Sequence, residues 1–101
     1  MMYVLLTTVD ERRKAEELAR RVVEEKLASC VTVLPGAKSF YFWKGKREEA
    51  GELLLLMKTL SPRKLMRRLK EIHPYEVPEL LVLKASAVSE EYLRWAREAV
   101  G

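Results

Sequence analysis

The side chains able to do chemistry are few and concentrated. The only histidine, His73, opens the heptapeptide His73-Pro74-Tyr75-Glu76-Val77-Pro78-Glu79, which also holds two of the four prolines, a tyrosine and two carboxylates. One imidazole with one or two carboxylates suits a borderline or hard divalent ion, held weakly. His73 and Glu79, with Glu76 as a third donor, are therefore the candidate metal ligands. Pro74 and Pro78 fix their own φ angles and push His73 and Val77 toward extended backbone, so the segment cannot continue a helix. Stiff loops bearing histidine and glutamate are common places for binding chemistry. The same residues also suit a plain helix-to-strand connector, with His73 bonded to backbone carbonyls and Tyr75 in a structural role.

Cys30 is the only cysteine, which excludes an intrachain disulfide and is compatible with a reducing cytoplasm. It reads better as a small core residue than as a metal ligand. With one histidine, one cysteine and one aspartate (Asp10), the chain cannot build a nucleophile, base and orienting group within a subunit, so no enzyme is expected.

The elements that must position these groups follow from periodicity. Tyr3 to Val9 reads as a strand, and Asp10 as the cap of a helix that buries Ala15, Leu18, Ala19, Val22, Val23 and Leu27. A second strand runs from Cys30 to Leu34, is interrupted at Pro35-Gly36 as by a bulge, and resumes from Ser39 to Trp43. Lys44-Gly45-Lys46 reads as a hairpin turn, and the return strand ends in Leu53 to Thr59. Ser61-Pro62 starts a helix that runs to about Ile72. After the heptapeptide come a strand from Leu80 to Ala85 and a last helix capped by Ser89. The order β-α-β-β-α-β-α implies an α+β fold in one domain, residues 1–101. It is a ferredoxin-like β-α-β-β-α-β sandwich with an antiparallel sheet, a long hairpin and an extra C-terminal helix.

With both main helices on one face, the other face should be polar. Yet Val4-Leu5-Leu6, Leu53 to Met57 and Leu80 to Leu83 are apolar on both faces, and Phe40 to Trp43 make the hairpin aromatic on both. A bare face of that kind calls for self-association, so an obligate oligomer is expected. Tyr41 and Trp43 are expected in its packing.

The net charge is +4, with 19 Lys/Arg interspersed among 15 Asp/Glu. That pattern points to a solvated surface, and the run Arg63, Lys64, Arg67, Arg68, Lys70 reads the same way; no nucleic-acid partner is expected. No apolar run approaches the ~20 residues that span a bilayer, so no membrane partner is expected either. The chain has no Asn and no Gln, and much Glu, Lys and Arg, the composition expected of a protein from a very hot source.

Several pieces together resemble the CutA divalent-cation-tolerance family over nearly the whole length. They are Leu27-Ala28-Ser29-Cys30-Val31, Pro35-Gly36, Ser39-x-Tyr41-x-Trp43-x-Gly45-Lys46, Glu52 with Leu53 to Leu56, Lys58-Thr59, the heptapeptide, and Tyr92-Leu93-x-Trp95. The resemblance implies a homotrimer, related in architecture to the nitrogen-regulatory PII proteins, that binds divalent ions such as copper and acts in tolerance of them. Thr7 and Ile72 stand where some members carry a further cysteine and histidine, which implies a weaker copper site. The alternative is a PII-like regulator that binds a small anion in clefts between subunits, contacted by Lys46, Arg47 or Lys58.

Overall fold

The computed structural model describes residues 1–101. Its elements are β1 (Tyr3–Val9), α1 (Arg12–Glu24), β2 (Cys30–Trp43), β3 (Lys46–Thr59), α2 (Pro62–Ile72), β4 (Leu81–Lys84) and α3 (Glu90–Val100). The four strands form one sheet in the order β2-β3-β1-β4, and all neighbours are antiparallel. This is the ferredoxin-like α+β sandwich expected from the order of elements, with a long hairpin and an added C-terminal helix.

Strand alternation sorts the residues onto two faces. Leu5, Thr7 and Val9 of β1, and Leu53, Leu55, Met57 and Thr59 of β3, are buried on the face that α1 and α2 cover. They meet Ala15, Leu18 and Val22 of α1 and Leu65 and Leu69 of α2 in one core. The other face carries Val4, Leu6, Leu34, Leu54, Leu56, Leu81 and Leu83, as the strand register requires. Of these, Leu34, Leu81 and Leu83 are 44%, 53% and 54% exposed in the single chain, and no helix covers them. The bare apolar face expected from the sequence is present.

β2 and β3 outrun the rest of the sheet. They pair from Cys30↔Lys58 to Trp43↔Lys46 and slip register between Leu34 and Ala37, where Pro35 and Gly36 form the expected bulge. Gly36 sits at φ 83°, a value that favours glycine. The turn is Lys44 and Gly45, with φ of 51° and 79°, the pair of positive φ angles that matches strand twist in a two-residue hairpin. The ribbon extends the molecule to 45 Å along its long axis, against 26 and 23 Å across.

Some boundaries differ from expectation. Helix α1 begins at Arg12, with Glu11 rather than Asp10 at the cap position and no side-chain cap bond. It ends at Glu24, three residues before Leu27. There Lys26 takes φ 60°, its N–H bonds to the Val23 carbonyl at 3.0 Å, and the Leu27 N–H bonds to the Val22 carbonyl at 2.9 Å. That is a Schellman stop, which closes the last turn and returns Leu27 to the core with the apolar spacing intact. Ser61 occupies the cap position of α2 before Pro62, but its side chain makes no cap bond; its N–H donates to Thr59 Oγ1 at 2.9 Å. Ser89 does cap α3, accepting from the Tyr92 N–H. Strand β4 keeps only Leu81–Lys84 of the longer run.

Candidate functional site

Helix α2 stops where Pro74 would otherwise have to enter it, and His73 leaves with φ −66° and ψ 138°. That turn drives the imidazole under the end of β1. His73 Nδ1 accepts a hydrogen bond from the Tyr75 N–H at 3.1 Å. The ring proton is therefore on Nε2, which faces the Thr8 carbonyl at 3.1 Å and Thr7 Oγ1 at 2.9 Å. Both ring nitrogens are engaged, and the residue is 9% exposed. Burial pulls the imidazole pKa below its usual value, against the opposing pull of the Thr8 carbonyl and the Glu52 charge.

The loop that follows reaches back across the hairpin. Tyr75 donates its phenol to Glu52 Oε2 at 2.7 Å and sets its ring edge-on to His73, with centroids 5.0 Å apart. Glu52 is 8% exposed, on the otherwise bare face of β3. Burial alone would raise its pKa, but hydroxyls of Ser39, Tyr75 and Thr8, with His73 nearby, hold it below the usual carboxylate range. Glu52 is thus a charge kept by design of its hydroxyl cage. Burial and the Glu52 bond push the Tyr75 phenol far up, so it remains a donor at any physiological pH.

These residues form one side of an open cleft of about 630 Å³ between the hairpin and the heptapeptide loop. Four carboxylates line it, Asp10, Glu52, Glu76 and Glu79, and Phe40, Tyr41 and Trp43 supply its aromatic wall. The cleft thus joins three remote parts of the chain: the end of β1, the hairpin and the loop after α2.

The structure brings together some of the candidate residues and separates others. Glu76 and Glu79 share the cleft, whereas His73 does not line it and has both ring nitrogens engaged by Tyr75, Thr7 and Thr8. No three His, Cys, Asp or Glu side chains are grouped so as to hold a metal ion within one subunit. Cys30 lies at the other end of the sheet, opposite Lys58, half-buried and beside the Tyr92 phenol. Lys46 and Arg47 pair with Trp43 and Phe42 at the hairpin tip, while Lys58 pairs with Cys30 and donates to Thr32 Oγ1 at 2.6 Å. At ~3.3 Å per strand residue, Lys58 is over 30 Å from Lys46, so the three cations do not converge in one chain. Asp10, expected as a cap, and Glu52, expected only as part of a motif, are the cleft residues that periodicity does not reveal.

The family model described as "CutA1 divalent ion tolerance protein" matches residues 3–99. The chain belongs to this family. Among curated relatives, the divalent-cation tolerance protein CutA of Thermus thermophilus is 45% identical over 103 residues, covering 100% of both chains. That of Pectobacterium atrosepticum is 45% identical over 94 residues, covering 91% of this chain and 86% of the relative. The solved structure of the Thermus thermophilus protein superposes with a TM-score of 0.92 over 100% of both chains, at 45% identity. CutA from Xylella fastidiosa gives 0.94 at 38% identity, over 99% of this chain and 98% of the other. The family is named for tolerance of divalent ions, and its name indicates no catalytic reaction.

Proposed function

We propose that this CutA-family protein works as a homotrimer that binds divalent ions weakly and acts in the response to them, through the cleft between hairpin and heptapeptide loop. The observation that carries this reading is that four carboxylates, Asp10, Glu52, Glu76 and Glu79, line one open cleft without forming a closed ligand set. Carboxylate oxygens suit hard or borderline divalent ions. Glu76 and Glu79, exposed and free of salt bridges, are the donors available without disturbing the fold. One subunit supplies fewer than three grouped ligands, so water or a neighbouring subunit completes the coordination and affinity stays low. His73 joins as a ligand only if its bond to the Tyr75 N–H or to β1 is given up; its first task is to pin the loop. The bare face of the sheet supports assembly, and its burial at ~25 cal/mol per Å² would be worth several kcal/mol per subunit. We place the protein in the cytoplasm, where the Cys30 thiol stays reduced.

Calorimetric titration with Cu(II) and with Zn(II), with solution mass recorded on the same sample, tests this. Saturable binding that is weakened by Glu76→Gln with Glu79→Gln, and retained in His73→Gln, supports the carboxylate cleft. Loss in His73→Gln alone moves the site to the imidazole, and no saturable binding by a stable trimer sinks the metal reading. A monomeric mass removes the assembly.

A further inference from the structure

Charge is held unevenly in this molecule. Helix α2 carries five Lys/Arg against Glu71 alone; with 19 basic and 15 acidic residues in the whole chain, the other ninety residues balance at fourteen of each. The +4 net charge of the protein therefore equals the net charge of one eleven-residue helix. The contrast with α1 is sharp, because all four α1 arginines lie within 4.0 Å of a glutamate. On α2 only Arg68 is tied down, to Glu25 and Glu71. Arg63, Lys64, Arg67 and Lys70 are exposed and make no ion pair or side-chain hydrogen bond. At about 100° per residue, Arg63, Arg67 and Lys70 fall within an arc of about 60°, opposite the buried Leu65 and Leu69, and span about 10 Å of helix.

We propose, against the sequence expectation of a merely solvated face with no nucleic-acid partner, that this outer ridge of α2, left without ion partners apart from Arg68, docks the phosphate backbone of a nucleic-acid duplex without reading its bases. The ridge is convex and purely cationic. It offers no exposed aromatic or aliphatic anchor of the kind that carries protein–protein affinity. Nor can α2 lie in a membrane surface, since its apolar face is committed to the core. Phosphate contacts need neither, because their affinity comes from charge neutralisation and counterion release. The ridge also lies on the helix side of the sheet, so self-association through the opposite, bare face leaves it free.

Anisotropy of a short labelled DNA duplex, titrated with the intact protein across a salt series, tests the ridge. Three phosphate contacts predict an affinity that falls about 40-fold between about 50 and about 200 mM salt. The triple variant Arg63→Gln/Arg67→Gln/Lys70→Gln should lose most of the binding and the salt slope, with unchanged solution mass. Arg12→Gln/Arg13→Gln/Arg20→Gln on α1 removes the same charge and should bind as the parent does. Absence of binding at the low-salt end overturns the proposal. So does equal loss in both triple variants, which would mark a response to net charge alone. Vesicles containing phosphatidylserine should compete poorly, and binding to them as tight as to the duplex would overturn it in favour of a membrane surface.

Discussion

The Tyr75 phenol donates a 2.7 Å hydrogen bond to Glu52, and with it the loop after α2 is fastened to the strand that returns from the hairpin. Neither residue is near the other in the chain, yet the bond sets the floor of the cleft. Tyr75→Phe leaves a buried carboxylate short of a donor. A hydrogen bond to a charged group is worth roughly 1.5–3 kcal/mol, so the variant should lose about that much stability near neutral pH. Pairing it with Glu52→Gln in a double-mutant cycle of denaturant unfolding checks the coupling. Additive losses would mean that the bond does not hold the loop.

The buried, neutral His73 makes stability depend on pH. Its folded pKa lies below the ordinary value of 6.5, so below that value the unfolded chain takes up a proton that the folded chain refuses. Stability is full above the ordinary value and falls as the solution is acidified through it, with a limiting slope of about 1.4 kcal/mol per pH unit. Glu52 acts in the same sense lower down. Its folded pKa is depressed below 4.5, so its contribution is present above that value and is lost as pH falls through the folded one. Guanidinium midpoints measured from neutral to mildly acidic pH should fall for the parent and stay flat for His73→Gln in the upper part of that range. A parent curve as flat as the variant's would mean that the imidazole is not held neutral.

The fold was legible because each element carried its own period and its own stop. Pro62 and Ser89 marked helix starts, Gly45 marked the turn, and Pro35-Gly36 marked the bulge, all by local backbone chemistry. The bare face was legible as apolar residues at successive strand positions. The end of helix α1 is not legible in the sequence, because Leu27 keeps the helical spacing while Lys26 has already reversed the backbone. The candidate site was half legible. Two prolines exposed the heptapeptide as a stiff polar loop, but which way His73 points depends on Thr7 and Thr8, sixty-six and sixty-five positions away. Asp10 and Glu52 join the cleft only through the register of β1 with β3, which no local pattern encodes.

Lys26 stands where the Schellman stop of α1 favours glycine. Its φ of 60° costs a side-chain-bearing residue roughly 1–2 kcal/mol. Glycine removes that strain but adds freedom to the unfolded chain, a loss of about 0.5–1 kcal/mol. Lys26→Gly should therefore change stability by between about 0 and about 1.5 kcal/mol in the stabilising direction, the weak bond from Lys26 Nζ to the Gly101 carbonyl at 3.3 Å being exposed. Thermal unfolding decides it, and a clear loss of stability would show that the lysine's bond to the C-terminal residue matters more than backbone strain.

Leu81 and Leu83 give the sharpest test of what covers the sheet. In the single chain they are 53% and 54% exposed, on a short edge strand, where a lysine is an ordinary residue. If solvent met this face, Leu81→Lys/Leu83→Lys would change stability by no more than about 0.5 kcal/mol per site. If other copies of the chain cover it, the same change buries two charges against Val4, Leu6 and their counterparts, and the assembly comes apart. Light scattering should then show a trimer for the parent and a smaller species for the variant, with a lowered unfolding midpoint. A variant that keeps the parent's mass and midpoint would leave this face open to water and remove the physical argument for self-association through it.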